Sequence, residues 1–187
     1  MSSQSQSIHD LIRRLDAATA FDSTDAIYEA VKTSLVETIG QRGLDLPVAF
    51  TQTSPDVYAR RLLHACDNYS VVVMAWASGQ RTPIHDHDGK WCVESVYKGT
   101  IRVTSYDLVG NPGEEIVSFA KQKEITAGRG EAGALIPPVD YHAMENPQDE
   151  VAVTIHVYGG ELYGCYTYTP VDGNRYRRER KPLTYTA

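Results

Sequence analysis

The sequence predicts a mainly β protein, a barrel or sandwich of short strands preceded by two N-terminal α-helices. After Pro47, segments rich in Val, Ile, Thr and Tyr alternate with Gly, Pro, Asp and Asn turns, which is typical of antiparallel all-β domains. Before Pro47, apolar residues recur at helical spacing instead. The chain has 187 residues, 42% of them hydrophobic, which is enough for one domain with its own core.

Two amphipathic helices account for residues 1–45, the helical N-terminal part of this single domain. The apolar face of the first helix comprises Ile8, Leu11, Ile12, Leu15 and Ala18. Residues 22–24 offer capping oxygens for the second helix, and Gly40 and Gly43 end it. The apolar stripe of the second helix comprises Ile27, Val31, Leu35 and Ile39.

A β-barrel is expected at residues 46–170. The predicted strands are Tyr58–His64, Ser70–Ala75, Cys92–Lys98, Thr100–Asp107, Ile116–Phe119, Gly133–Ile136, His142–Asn146, Val151–Tyr158 and Tyr163–Thr169. Residues 171–187 are expected to form a tail, because the basic run from Arg175 to Lys181 is typical of a solvated segment in an acidic chain.

Composition and charge narrow the classes of function. The net charge of −6 and the isoelectric point near 5.5 argue against a nucleic-acid binder. No apolar run is long enough to span a membrane, and the N-terminus shows no signal peptide, so we expect a cytoplasmic protein. Three cysteines do not make a disulfide scaffold. The oligomeric state stays open between a monomer and a small homo-oligomer.

The stretch from Gly79 to Gly99 carries the strongest functional signal. It places His85 and His87 two residues apart, after an apolar strand and within a loop rich in Asp and Gly. Side chains on a strand alternate between its faces, so both imidazoles point the same way and can offer two nitrogen ligands to one metal. The alternative is a surface hairpin with two incidental histidines.

Two further histidines follow in later strands. His142 opens a strand after a pair of prolines, and His156 shares one strand face with Thr154 and Tyr158. Polar side chains that point into a barrel face either a site or water, and the pattern leaves both possibilities open.

The spacing of the stretch resembles the first cupin motif. Gly79 is followed by five residues, the His85-x-His87 pair, four more residues, Cys92, and another six residues before Gly99. Cys92 stands where that motif has a glutamate ligand. The resemblance implies a cupin β-barrel of the jelly-roll type.

The second cupin motif matches more loosely. Pro137, His142 and Asn146 fit its spacing, but Val139 replaces a glycine and Gly133 is misplaced. Over roughly residues 57–169 the chain is similar to the thiol dioxygenases, above all to the cysteine dioxygenase family, in which a cysteine also replaces the glutamate.

That resemblance implies one Fe(II) held by His85, His87 and His142 with no carboxylate ligand. Imidazole suits several metals, so the ligands alone do not choose iron. Three neutral ligands leave the metal its full charge, which favours a thiolate substrate. Fe(II), unlike zinc, can pass electrons to O2. Glu94 is a weaker candidate for a carboxylate ligand, beyond the motif position.

The resemblance also assigns the substrate pocket. The Tyr58-Ala59-Arg60 sequence matches the segment in which the family's arginine binds the substrate carboxylate. Cys165 matches a cysteine at the pocket mouth. An ordinary ion-paired surface arginine is the alternative for Arg60, and Arg61 beside it faces the opposite way.

Three residues of the strand that carries His156 match a relay in the family, formed here by Thr154, His156 and Tyr158. Cys92 and Tyr158 match a pair that a thioether bond joins in some members; a small buried thiol is the other reading of Cys92. Residues 159–160 are Gly-Gly where animal members have Ser-Pro-Pro, which affects the pocket floor.

The function implied is that of a non-haem iron thiol dioxygenase in cysteine catabolism, which oxidises L-cysteine with O2 to cysteine sulfinic acid. An alternative is a dioxygenase of 3-mercaptopropionate or another small thiol; the 3-mercaptopropionate enzymes usually carry glutamine at the position of Arg60 and glycine at that of Cys92. A further alternative is a non-catalytic metal-binding cupin that senses a small ligand. The expected partners are a small thiol and O2, with no nucleic acid and no membrane.

Overall fold

The computed structural model describes residues 3–41, 43–135 and 141–187. Helix α1 spans Ser3–Ala18 and α2 spans Thr24–Val36, followed by a π-helical turn, Glu37–Gln41, and a short helix α3, Val48–Thr51. The Ser23 side chain accepts a hydrogen bond from the backbone N–H of Ala26 and so caps α2. The two predicted N-terminal helices are confirmed.

The strands have the following bounds: β1 Ala59–Ala65, β2 Ser70–Trp76, β3 Ile84–His85, β4 Cys92–Lys98, β5 Thr100–Val109, β6 Ile116–Gly128, β7 Ala132–Leu135, β8 Tyr141–Glu145, β9 Ala152–Tyr158, β10 Gly164–Asp172 and β11 Arg175–Pro182. Every predicted strand has a counterpart among them. The sequence missed the two-residue strand β3 and ended β6 too early.

The strands form the jelly-roll barrel that the sequence predicted. One sheet has the order β1-β2-β9-β4-β7, and a closed ring of strands has the order β10-β11-β6-β5-β8-β3. All of the strand pairs are antiparallel. Strand β9 lies in the middle of the first sheet, between β2 and β4.

The two faces of that sheet bury different clusters. Val71, Val73, Ile155 and Val157 lie on the outer face and pack in one core cluster with residues of α1 and α2. On the inner face, Val72 and Met74 belong to the barrel interior together with Cys92 and Tyr158. The apolar face of the two helices thus covers one side of the sheet and leaves the other side to the barrel interior.

The expected tail at residues 171–187 is wrong for most of its length. Residues 175–182 form β11, which pairs with β10 on one side and β6 on the other. Arg178 lies over the ring of Tyr166, 3.3 Å from its centroid. This cation–π contact helps to hold the basic run against the protein surface, so the run is not a solvated tail.

Gly99, the last residue of the first motif, has a structural reason. Its φ is +72°, and a Cβ there would lie 3.1 Å from both the Val151 carbonyl oxygen and the Ala152 Cα. Glycine is therefore required by the backbone conformation and by the close approach of the start of β9.

None of the helices in the described ranges is both long and apolar enough to cross a membrane.

Candidate metal centre

Three histidines meet where β3 joins β8. His85 in β3 stands directly opposite His142 in β8, and His87 follows in the loop two residues later. Their donor nitrogens all lie within 4.8 Å of one another, and the Nε2 atoms of His85 and His142 are 3.1 Å apart. Two nitrogens bound at right angles to one ion, each ~2.1 Å from it, would be ~3 Å apart. The spacing therefore fits a metal ion.

The surroundings of His142 favour its neutral form, which is the form that binds metals. The residue is fully buried, and its desolvation, with the neighbouring His85 and His87, holds its pKa well below the usual value. Burial is the largest cause. The cluster thus offers a metal an imidazole that needs no deprotonation at neutral pH.

Glu94 is a buried carboxyl that the sequence analysis considered only as a metal ligand. Its Oε1 lies 3.9 Å from Nδ1 of His142, and its Oε2 lies 3.4 Å from Nδ1 of His156. Burial raises the pKa of Glu94 to about 8, while burial also holds the pKa of His156 well below its usual value. At neutral pH these contacts therefore join uncharged groups rather than an ion pair.

The inward face of β9 carries the expected Thr154, His156 and Tyr158. The Thr154 hydroxyl and Nε2 of His156 are 2.8 Å apart, and the rings of His156 and Tyr158 stack with centroids 6.0 Å apart. Thr154 also accepts a hydrogen bond from the Trp76 indole N–H, at 3.0 Å. The ring nitrogens of His156 thus face Thr154 and Glu94.

Cys92 stands directly opposite Tyr158 across the β4–β9 pair. Both side chains are buried. Side chains directly opposite in an antiparallel pair have Cβ atoms about 4.5–5.5 Å apart. Burial raises the pKa of Tyr158 well above its usual value, so its hydroxyl stays a hydrogen-bond donor.

A small cavity adjoins the histidines and contains Arg60. Its lining includes His85, His87, Tyr158 and Arg60. Arg60 is 5% exposed; Nη2 donates to the carbonyl of Leu162 at 3.1 Å, and Nη1 is buried with no hydrogen-bond partner among the described residues. Of the two neighbouring arginines, Arg60 lines this cavity, whereas Arg61 donates to the carbonyl of Gln52.

The other expected pocket residues also lie on this cavity. Tyr58 lines it and stacks on Trp76, with ring centroids 4.4 Å apart. Cys165 lines it from β10, and burial raises the pKa of its thiol to about 11. Lys181 and Leu183, from the end of the chain, complete the wall.

The sequence reasoning missed the C-terminal part of this wall. The basic composition of residues 175–181 concealed an alternating Tyr-x-Arg-x-Arg pattern, which could have predicted a strand. Pro137 and Val139, used to match the second motif, and Ile136 at the end of a predicted strand lie outside the described residues.

A second group of metal-binding residue types lies beside the histidines. Cys92, Glu94 and His156 have donor atoms within 4.8 Å of one another. Glu94 and Thr154 also line a separate cavity of about 370 Å³ that does not reach the three histidines. The three histidines are the better candidate for a metal site, because Nε2 of His156 in the second group is already hydrogen-bonded to Thr154.

The fold and this cluster define the class of protein: a jelly-roll cupin with a three-histidine site suited to a metal ion. The model of the family described as "Cysteine dioxygenase type I" matches residues 2–170. This chain belongs to the cysteine dioxygenase type I family.

Named relatives are distant. Cysteine dioxygenase type 1 of Rattus norvegicus is 23% identical over 120 residues, 63% of this chain and 58% of that protein, so the match spans less than two thirds of the relative. The Danio rerio protein of the same name is 23% identical over 172 residues, 90% of this chain and 82% of that one. A solved structure of a Klebsiella pneumoniae protein with a double-stranded β-helix domain is 19% identical, with a TM-score of 0.45 over 62% of this chain and 88% of that one.

The buried carboxyl predicts a pH dependence of stability in the metal-free protein. Because the pKa of Glu94 is about 8 in the folded state against 4.5 as the ordinary value, the folded state holds the proton more tightly. The stability that this provides is complete below pH 4.5 and is lost as the pH rises to about 8, at up to about 1.4 kcal/mol per pH unit. Glu94→Gln should abolish this component.

Thermal unfolding of chelator-treated protein between pH 5 and 8.5 measures the effect. Taking the difference between wild type and variant removes the contributions of all groups that titrate independently of Glu94. Glu124→Gln is the control. The hydrogen bond to Lys121 lowers the pKa of that exposed carboxyl, so Glu124 titrates below the pH range of the experiment. Parallel pH profiles for wild type and Glu94→Gln would contradict the prediction.

Proposed function

We propose that this protein is a non-haem iron thiol dioxygenase that oxidises L-cysteine with O2 to L-cysteine sulfinic acid. The observation that carries the proposal is the position of a buried guanidinium beside the three-histidine cluster, two members of which, His85 and His87, line the same cavity as Arg60. Both oxygen atoms of O2 enter the product, so the thiol is oxidised with no further co-substrate. Fe(II) would be held by His85, His87 and His142 and would supply the electrons that make O2 reactive.

The residues of the chain supply binding and orientation. Nη1 of Arg60 has an unused N–H to donate to the substrate carboxylate, and a planar guanidinium can bind a carboxylate through two parallel hydrogen bonds. The Tyr158 hydroxyl keeps its proton and can donate it in a hydrogen bond inside the cavity. His156 and Thr154 orient Tyr158 through ring stacking and the hydrogen bond between them. We also propose that the protein is cytoplasmic, as expected from its sequence.

Oxygen uptake by anaerobically iron-loaded protein with a panel of thiols tests the function. We expect L-cysteine to be consumed faster than cysteamine or 3-mercaptopropionate. Faster turnover of 3-mercaptopropionate would favour the alternative substrate. Stoichiometric iron without oxygen uptake for any thiol would favour the non-catalytic cupin.

Replacing a histidine ligand should remove the metal. His87→Ala leaves two of the three nitrogen donors, so we expect the variant to lose most of its iron on desalting and to consume no oxygen. Elemental analysis measures iron per chain. His9→Ala, at an exposed position in α1, should retain iron like the wild type. Full iron occupancy in His87→Ala would refute the ligand assignment.

Arg60→Lys should impair cysteine far more than cysteamine, which has no carboxylate. A lysine cannot copy the two-point contact, and the loss of a charge-assisted hydrogen bond corresponds to roughly 10- to 100-fold in kcat/KM for cysteine. Arg61→Lys is the matched control one residue away. Equal losses for both thiols would show that Arg60 acts through the fold and not on the substrate.

The last prediction concerns a thioether between Cys92 and Tyr158. Forming the S–C bond removes the thiol hydrogen and one ring hydrogen, a two-electron oxidation. O2 would be the oxidant, taking up the two electrons and two protons to give hydrogen peroxide, and iron held by the three histidines would promote the reaction. Their opposed positions on β4 and β9 bring the two side chains within reach. The bond would fix the ring while leaving the hydroxyl in place, so it should raise activity without being essential.

Peptide mapping after turnover measures this bond. We expect the peptides of Cys92 and Tyr158 to appear joined and lighter by two hydrogens, and Cys92→Ser to remain active but slower. If iron-loaded, cysteine-treated protein yields only the separate peptides, Cys92 is an ordinary buried thiol and the iron assignment is unaffected.

A further inference from the structure

The last residues of the chain bind to β1 at Arg60. The backbone N–H of Thr186 donates to the Arg60 carbonyl at 2.7 Å, and the Thr186 hydroxyl accepts from the Arg60 N–H at 3.0 Å. Three residues earlier in the chain, the Leu183 N–H donates to the Tyr163 carbonyl at 2.8 Å. Strand β1 is at the edge of its sheet, so residues 183–187 cover an edge that would otherwise present unpaired backbone groups.

Tyr185 places its ring against the Arg60 side chain. The guanidinium carbon lies 4.7 Å from the ring centroid, and the Tyr185 hydroxyl donates to Oε1 of Glu161 at 2.9 Å. A guanidinium over a ring gains a cation–π contact and can still donate its N–H groups in hydrogen bonds. One such group is taken by the Leu162 carbonyl, and Nη1 is left.

The same segment narrows the cavity. Leu183 lines it beside Lys181 of β11, and the cavity volume is about 30 Å³. A cavity needs ~10–15 Å³ to hold one water, so this space suits a very small ligand and leaves little freedom for Arg60 to swing away. Residues 183–187 therefore act on the cavity in two ways, as part of its wall and as the support of its only described arginine side chain.

We propose that Tyr185 is a positioning residue that holds Arg60 for the substrate carboxylate, so that the C-terminal segment makes the site selective for small thiols that carry a carboxylate. The inference rests on the proposed function. It concerns residues beyond 2–170, the part of the chain that the family model matches. The structural basis of this selectivity thus lies in residues 183–187, outside the region that the family model matches.

The test measures binding without turnover. L-cysteine and cysteamine are titrated anaerobically into the iron-loaded full-length protein by calorimetry, with Tyr185→Leu, Tyr185→Phe and Tyr163→Ala beside the wild type. Tyr185→Leu keeps an apolar side chain but has no aromatic face. Tyr163→Ala is the matched control, because the Tyr163 hydroxyl also donates to Glu161, at 2.8 Å, from a largely exposed ring.

We expect Tyr185→Leu to bind L-cysteine about 3- to 30-fold more weakly and cysteamine unchanged. Tyr185→Phe keeps the ring and should bind both thiols like the wild type, as should Tyr163→Ala. In turnover, Tyr185→Leu should raise KM for cysteine more than it lowers kcat.

Two results would overturn the inference. If Tyr185→Leu binds both thiols like the wild type, Tyr185 does not position Arg60; if it weakens both equally, its role is structural only. A wild-type protein that binds neither thiol would instead refute the proposed function, and this inference with it. If Tyr185→Leu unfolds, Tyr185→Gln, which also lacks an aromatic ring, replaces it and is judged by the same two outcomes. Weakened cysteine binding in Tyr185→Phe would also contradict the role given to the ring.

Discussion

The register of β9 between its two neighbours is the constraint on which the site depends. Against β4 it sets Tyr158 opposite Cys92 and His156 opposite Glu94, and against β2 it sets Thr154 opposite Met74. A slip by one residue would turn all of these side chains to the face that packs on the helices. The apolar residues between them hold that register, because Ile155 and Val157 are fully buried on the helical side. Packing that serves stability thus also fixes the chemistry.

The proximity of His85 and His87 in the candidate metal site could be predicted from sequence because their geometry is local. His85 and His87 are two residues apart, so one short strand and its loop set their relation. His142 was placed by resemblance, and its pairing with His85 follows from a strand, β3, too short to show a periodicity. Spacing along the chain therefore predicts which nearby side chains lie together, but it does not predict the strand pairing that brings His142 to His85.

Glu94 and Tyr185 could not be placed in the same way. Glu94 looks like any strand residue until the pairing with β9 shows that it points inward between two histidines. Tyr185 lies far along the chain from Arg60, and nothing in its own neighbourhood predicts that contact. Composition misled here: a run of arginines is typically solvated, but pairing with β10 and β6 outweighed that preference.

The structure explains the first of the two glycines that follow Tyr158. A Cβ on Gly159 would lie 2.5 Å from the indole nitrogen of Trp91, so that ring occupies the space a side chain would need. The Gly159 N–H donates to the Trp91 carbonyl at 3.0 Å, and the Ser70 hydroxyl donates to the Gly160 carbonyl at 3.0 Å. The end of β9 is therefore held by Trp91 and by β2, without prolines.

The charges in and beside the cavity give a reason to expect an anionic ligand, because Arg60 and Lys181 line it and no carboxylate of the described residues does. Glu94, His142 and His156 are uncharged at neutral pH because burial opposes their charged forms. Arg60 is 5% exposed, and no salt bridge within residues 3–41, 43–135 and 141–187 involves it. A buried cation without a counter-charge is costly, and a carbonyl and a ring offset that cost only in part. A ligand that brings a carboxylate would complete the balance, and this supports the proposal that the substrate is a thiol that also carries a carboxylate.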